Sequence, residues 1–279
     1  MIGLENNKVC IEGVCEMPLP SSTYALITGA SSGIGSDLAR VFAREGHHLV
    51  LTSRSQERLE ALAVEIRGSS KVEVVVMPAD LSQPHAAERL AALLGDKNIE
   101  VGTLVNNAGF GMWGSFLGLD ANKQSEMIRL NIAALTELTR LLAPEMVKRG
   151  KGKILNVAST AAFQPGPFMA VYFATKAYVL SFSMALGEEL KGTGVCVTCL
   201  CPGSTATRFA ETSSMDESRF YNLLKPMSPM EVAEIGYRAL QRGEDCRVAG
   251  WINRLQVFLT RFASIRLATR IAKRVMGKS

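Results

Sequence analysis

Short apolar runs rich in β-branched residues alternate with longer stretches of helical period along most of this chain, and that alternation restricts the fold more than any other feature. Strand patterns fall at 24–28, 48–53, 72–77, 103–105, 153–157, 195–200 and 247–249. Helical patterns separate them at 34–45, 57–67, 86–94, 123–149, 170–190 and 229–242, the fourth reading as more than one piece. The last helix opens on Ser228, a good N-cap type, with Pro229 at the first helical position. Strands apolar on both faces, each followed by a helix, predict a parallel sheet covered on both sides. No tandem repeat, low-complexity block or linker divides the pattern. One doubly wound α/β domain over 23–250 is expected, with an N-terminal arm at 1–22 and a basic amphipathic helical tail at 251–279. In such a sheet ligands bind beyond the carboxyl ends of the strands, so chemistry is sought in the loops that follow them.

Charge and composition narrow the partners. The net charge is +5, yet seven basic side chains and no acids lie within 251–279. Outside that tail, 24 basic residues face 26 acidic ones, so the domain shows no basic excess and no nucleic-acid partner is expected. Three histidines (His47, His48, His85) and six cysteines lack zinc-like spacing, and no metal site is expected. Cys10 and Cys15 belong to the arm and Cys246 to the region of the last strand. Cys196, Cys199 and Cys201 lie in the apolar run VCVTCLC, where free cysteines act as small hydrophobes and suit a reducing compartment. Neither an apolar stretch of about 18 residues nor a basic-then-apolar leader occurs, so a cytoplasmic protein is expected.

After the first strand comes Thr28-Gly29-Ala30-Ser31-Ser32-Gly33-Ile34-Gly35. Glycines at a strand-to-helix turn let the backbone approach a pyrophosphate, and the helix beyond offers free N–H groups and its positive dipole end. The spacing is GxxxGxG rather than GxGxxG; its place in the first βαβ unit is what gives it weight. An NAD site carries an acid about 20 residues on, at the end of the second strand, for the ribose 2′-hydroxyl. Ser53 stands there instead, followed by Arg54. A neutral residue beside a guanidinium suits a 2′-phosphate, so NADP(H) is the expected cofactor; the alternative is that Arg54 is a solvated residue at a helix start.

Tyr172-Phe173-Ala174-Thr175-Lys176 sets a phenol and an ammonium at i and i+4 on one helical face. An ordinary phenol, with a pKa near 10, is a poor acid–base at neutral pH. A neighbouring ammonium, and the positive ring of an oxidised nicotinamide, both favour phenolate and are expected to lower that value.

TGASSGIG at 28–35, Asp80-Leu81, Asn106-Asn107-Ala108-Gly109, Asn131, Ser159, YFATK at 172–176 and Pro202-Gly203 follow in order, with Ser159 lying 13 residues before Tyr172. Together they make the chain resemble the short-chain dehydrogenase/reductase superfamily over about residues 23 to 250. The resemblance implies a Rossmann-like sheet of about seven strands and an NADP(H)-dependent oxidoreductase acting on C=O and CH–OH groups, mostly as a homodimer or homotetramer. It implies that Tyr172 is the general acid/base, that Lys176 lowers its pKa and binds the nicotinamide ribose, and that Ser159 hydrogen-bonds the substrate oxygen. Asn131 would hold a water leading from Lys176 to solvent. Gly29, Ser31, Ser32, Gly33, Ile34, Gly35 and Arg54 would line the cofactor, with Asp80 and Leu81 beside its adenine. Asn107, Ala108 and Gly109 would border the nicotinamide side, as would Pro202, Gly203 and Thr207. For Asn107, bracing the central strands stands as an equal alternative to contact.

An apolar ketone or aldehyde is the expected substrate. Phe110, Met112, Trp113, Phe163 and Phe168, with Phe209, Met215, Phe220, Tyr221 and Leu223 of a lid at 204–228, are candidates to line its pocket or to be core. Arg208 is the nearest cation. Two rival readings stand beside the reductase: a dehydrogenase working mainly in the alcohol-oxidising direction, and a non-catalytic NADP(H)-binding sensor or scaffold.

In the tail, Trp251, Leu255, Phe258, Leu259 and Phe262 mark one helical face, while Ile265, Ala268, Ile271, Ala272 and Val275 mark another, so two helices broken near 263–264 are expected. Packing on the domain or on a second subunit is the favoured use of these faces, and peripheral contact with an anionic membrane is the other.

Overall fold

The computed structural model describes residues 23–207 and 226–277. The arm with Cys10 and Cys15, the lid candidates Arg208, Phe209, Met215, Phe220, Tyr221 and Leu223, and Lys278 fall outside these ranges.

Seven strands form one parallel sheet: β1 (Tyr24–Thr28), β2 (His48–Thr52), β3 (Val74–Val76), β4 (Val101–Asn106), β5 (Gly152–Val157), β6 (Val195–Cys201) and β7 (Cys246–Val248), in the order β3-β2-β1-β4-β5-β6-β7. This is the expected Rossmann-like fold. The winding reverses between β1 and β4, opening a crevice at the carboxyl ends of the central strands.

Helices α1 (Gly33–Arg44), α2 (Gln56–Ser69) and α7 (Pro229–Gln241) cover one face; Leu38, Phe42, Leu59, Ile66, Val232 and Leu240 pack there against Ile27, Leu51 and Leu155. The other face is covered by α3 (Ala86–Asp96) and α5 (Leu135–Lys148), whose Leu90, Leu94, Leu138 and Met146 meet Leu26, Leu104 and Ile154. Each central strand thus buries apolar side chains on both sides, as parallel strands must when helices close both faces. Ser228 caps α7 in a full capping box with Glu231, and Pro229 opens that helix.

The long helical stretch does come in pieces. α4 (Ala121–Ile128) runs through a π turn at Arg129–Ala134 into α5. Cys199 and Cys201 are buried free thiols, as expected, whereas Cys196 is half-buried rather than core.

The tail forms two helices, α8 (Trp251–Thr260) and α9 (Ile265–Met276), with the break where the shift of apolar face places it. It does pack on the domain, but only along its inner seams. Asn253 sits where a side chain on Gly203 would stand, Val257 is buried, and Ala268, Ala272 and Met276 are buried at i, i+4 and i+8. Trp113 Nε1 donates to the Met276 carbonyl oxygen at 2.9 Å. Gly203→Ala is therefore expected to force Asn253 aside and loosen α8, read as faster proteolysis near residue 251 with the sheet's circular dichroism unchanged; equal proteolysis of the two proteins would refute this seating.

Candidate active site

At the carboxyl edge of the sheet lies a cavity of about 620 Å³. Every residue expected to bind cofactor lines it, Gly29 through Thr207, together with Ser159. Asn131 stands behind its wall.

The floor at the β1 end is the glycine turn. Gly29 (φ +66°) and Gly33 (φ +59°) hold left-handed backbone that other residues adopt at a cost. A Cβ on Gly29 would come 2.9 Å from Ala108 Cα, and one on Gly33 would come 3.0 Å from Thr207 Cγ2, closing the gap above the turn. Ser32, the N-cap of α1, does not cap the helix with its side chain, so first-turn N–H groups stay open to an anion. Asn107 takes the bracing role: its Nδ2 donates to the carbonyls of Thr28 (3.0 Å) and Gly29 (3.3 Å), tying β4 to β1 while the residue still borders the cavity.

Beyond β2, Arg54 lines the cavity and also meets Glu126 at 3.4 Å. An exposed pair of that length is weak, which leaves the guanidinium recruitable by a phosphate. Arg58 and Lys123 line the same end. Sequence reasoning missed both; the i, i+4 step from Arg54 to Arg58 was the signal for the first. Ser53 Oγ is buried there without a hydrogen-bond partner among the described residues. Asp80 accepts from Ser82 N (3.1 Å) and Oγ (2.6 Å) and from Gln83 Nε2 (3.2 Å). Burial would raise its pKa, but these bonds outweigh it and hold the carboxyl below its usual range.

The reactive corner is built by β5 and α6 (Ala170–Glu189). Ser159 follows β5 as N-cap of a 3₁₀ turn (Thr160–Phe163), its Oγ accepting from Ala161 N at 3.1 Å. One turn apart on α6, Tyr172 and Lys176 reach the same corner, and Lys176 Nζ lies 5.8 Å from the Tyr172 ring centre. Lys176 Nζ donates to the Val157 carbonyl at 2.8 Å. Tyr172 hydrogen-bonds Ser159.

The Lys176 ammonium by itself does not bring the Tyr172 phenol below its ordinary value. Burial pushes the phenol up to about 12, against the opposing effect of the Ser159 bond. Burial also brings the Lys176 ammonium down to about 8, so the cation meant to favour phenolate is itself weakened.

The π turn aims Asn131 at the adjoining loop. Its Nδ2 donates to Phe110 O (2.9 Å) and Thr175 Oγ1 (3.1 Å), and its Oδ1 accepts from Phe110 N (3.1 Å). Asn131 thereby pins that loop to α6. Both hydrogens of its amide go to protein atoms, so the side chain positions this loop.

Of the apolar candidates, Phe110 and Met112 line the cavity. Phe168 lines a small side pocket instead, Trp113 is buried beneath α9, and Phe163 packs away from the cavity. Met169, Phe173, Gln256 and Met276 line it unforeseen, the last two because the tail returns to the site.

Residues 23–218 match the model of the short chain dehydrogenase family. A short-chain dehydrogenase from Sphingobium yanoikuyae, solved in complex with NADPH, is 35% identical and superposes with a TM-score of 0.77 over 86% of this chain and 93% of that one. The bulky-bulky ketone specific alcohol dehydrogenase from Comamonas testosteroni is 32% identical, with a TM-score of 0.73 over 87% and 93%. The very-long-chain 3-oxoacyl-CoA reductase of Bos taurus is 37% identical over 192 residues, which is 67% of this chain but only 61% of that relative.

Proposed function

This chain belongs to the short-chain dehydrogenase family, and on that premise we propose that it is an NADP(H)-dependent reductase of ketones bearing a long or bulky apolar group. The observation that carries the reading is the meeting of Ser159, Tyr172 and Lys176 on one cavity that also holds an open helix N-terminus and, at its far end, Arg54 and Arg58.

The cavity suits the dinucleotide. The glycine turn and the uncapped start of α1 accept a pyrophosphate, and Arg54, Arg58 and the unpartnered Ser53 Oγ suit a 2′-phosphate. NADPH, when bound, supplies the hydride. The chain's own groups manage the proton. Ser159 Oγ and Tyr172 Oη converge on the place a carbonyl oxygen would take, where they stabilise its growing negative charge and deliver a proton. Lys176, anchored to Val157, holds a cationic neighbour beside the phenol, and Asn131 fixes the loop at Phe110 against α6.

Burial raises the Tyr172 phenol, so at neutral pH it stands protonated, the donor form that reduction uses; alcohol oxidation through the same site uses phenolate. Reductive kcat is expected to stay level from pH 6 to about 8 and alcohol oxidation to climb with pH. A reductive rate that rises with pH over that span would contradict the assignment.

Substrate class rests on the wall beside Tyr172, where Phe110, Met112, Met169, Phe173 and Met276 gather. Two relatives, a bulky-bulky ketone specific alcohol dehydrogenase and a very-long-chain 3-oxoacyl-CoA reductase, agree with such a wall. NADPH oxidation measured against small aldehydes, bulky ketones and 3-oxoacyl thioesters of graded length tests this. Turnover should rise with apolar size; equal turnover of small polar carbonyls would refute the substrate class. Changing Arg54 and Arg58 together to Ala should weaken NADPH binding by about 10–100-fold and NADH binding little, read by fluorescence titration. Parallel losses for both cofactors would remove the 2′-phosphate role.

A further inference from the structure

The inner seams of α8 and α9 hold them to the domain; their outer faces meet nothing among the described residues. Trp251, Leu255, Phe258, Leu259 and Phe262 form one stripe at i, i+4, i+7, i+8 and i+11, every one more than half exposed. Ile252, Ile265, Leu267 and Ile271 add to it. Half of the exposed large apolar side chains among the described residues therefore lie in these two short helices and the turn between them, a concentration far beyond scattered surface hydrophobics.

Charge selects what covers this face. The segment 251–279 contains seven basic residues and no acid. Arg254, Arg261, Arg266, Arg270, Lys273 and Arg274 are all exposed. At ~100° per residue, Arg254 and Arg261 fall about 40–60° beyond Phe258, on one flank of the stripe, with aliphatic stems that can lie along it while their heads reach past it. A second copy seated by twofold symmetry would bring this cationic rim against itself. An anionic lipid surface meets both needs: apolar side chains enter the acyl boundary and guanidinium groups rest among headgroup phosphates. Trp251, at the start of α8, has the amphipathic ring favoured at such an interface.

We propose that the α8–α9 hairpin is an interfacial element that docks this protein on anionic bilayers without crossing them. No helix among the described residues is long and apolar enough to cross. The proposal is independent of the redox reading, but the two meet in space. Gln256 and Met276 of the same segment line the cavity, so lipid would lie about one helix diameter, ~10 Å, from its wall.

The test uses the full chain in co-sedimentation with vesicles of phosphatidylcholine alone or with about 30% phosphatidylserine, at low and high salt. Binding to the anionic vesicles should exceed binding to neutral ones by about tenfold and fall steeply with salt. Phe258→Ser with Phe262→Ser should lower binding at least about tenfold, and Arg254→Glu with Arg261→Glu should abolish the preference for anionic lipid. All four side chains are exposed, so NADPH affinity and thermal midpoint serve as checks on folding. Three results would overturn the proposal. One is failure of the wild-type chain to bind anionic vesicles. Another is binding that survives the paired Phe substitutions. The third is a lipid-free dimer, seen by sedimentation velocity, that the same Phe substitutions dissociate, which would assign the face to a second copy.

Discussion

Tyr172→Phe is expected to lower carbonyl turnover by about 10²–10⁴-fold while NADPH affinity stays nearly unchanged. The ring is buried among Trp113, Met127, Met169 and Phe173, and phenylalanine fills the same space, so only the hydroxyl is lost. That hydroxyl bonds Ser159 and is the proposed proton donor. Ser159→Ala should cost activity by a different route, removing a stabiliser of the developing oxyanion, with a loss of about 10²–10³-fold. Combining the two should cost less than the product of the single losses, because both act on one substrate oxygen. Stopped-flow NADPH oxidation under single turnover separates chemistry from binding. Turnover that survives Tyr172→Phe would end the acid–base assignment.

The largest effect on stability is expected at Gly35. A Cβ there would overlap the Gly29 carbonyl oxygen and the Asn107 amide nitrogen, neither of which has room to yield. Gly35→Ala would press on the phosphate turn and break the bonds from Asn107 to Thr28 and Gly29. Overpacking costs about 1–3 kcal/mol and a buried amide left unpaired about the same, so a loss of about 2–6 kcal/mol is expected, with NADPH affinity falling in parallel. Gly95→Ala is the control. It lies in α3 with nothing within 4 Å of an added Cβ, and should be neutral or stabilising by up to about 1 kcal/mol. Equal denaturation midpoints for the two variants would mean that the turn is not the tight junction it looks to be.

Much of the fold and the cofactor cleft was legible in one dimension. β1 begins and ends at the expected residues, and the capping signal at Ser228 and Pro229 marked α7 correctly. Those readings work because strand and helix periodicity, caps and turn glycines are local properties of a few neighbouring side chains. The sign of the Tyr172 shift was not legible. Spacing places Lys176 beside the phenol, but burial, which spacing cannot report, dominates both groups. Arg58 and Lys123 were missed at the cofactor end because they reach it from two different helices, and Gln256 and Met276 because nothing in the tail's pattern points to the cavity.

The alternation of elements, the glycine turn, the Ser159–Tyr172–Lys176 set and the choice of Arg54 over an acid were written in the order of residues alone. The docking of the tail was not. Whether its apolar faces turn inward or outward depends on Asn253 meeting Gly203, 50 positions away, and on Trp113 meeting Met276, 163 positions away. A repeat of apolar residues says that a helix has a face to cover. Only the path of the whole backbone, bringing distant segments into contact, decides that α9 turns its Ala268–Ala272–Met276 seam to the domain while α8 leaves its aromatic stripe open.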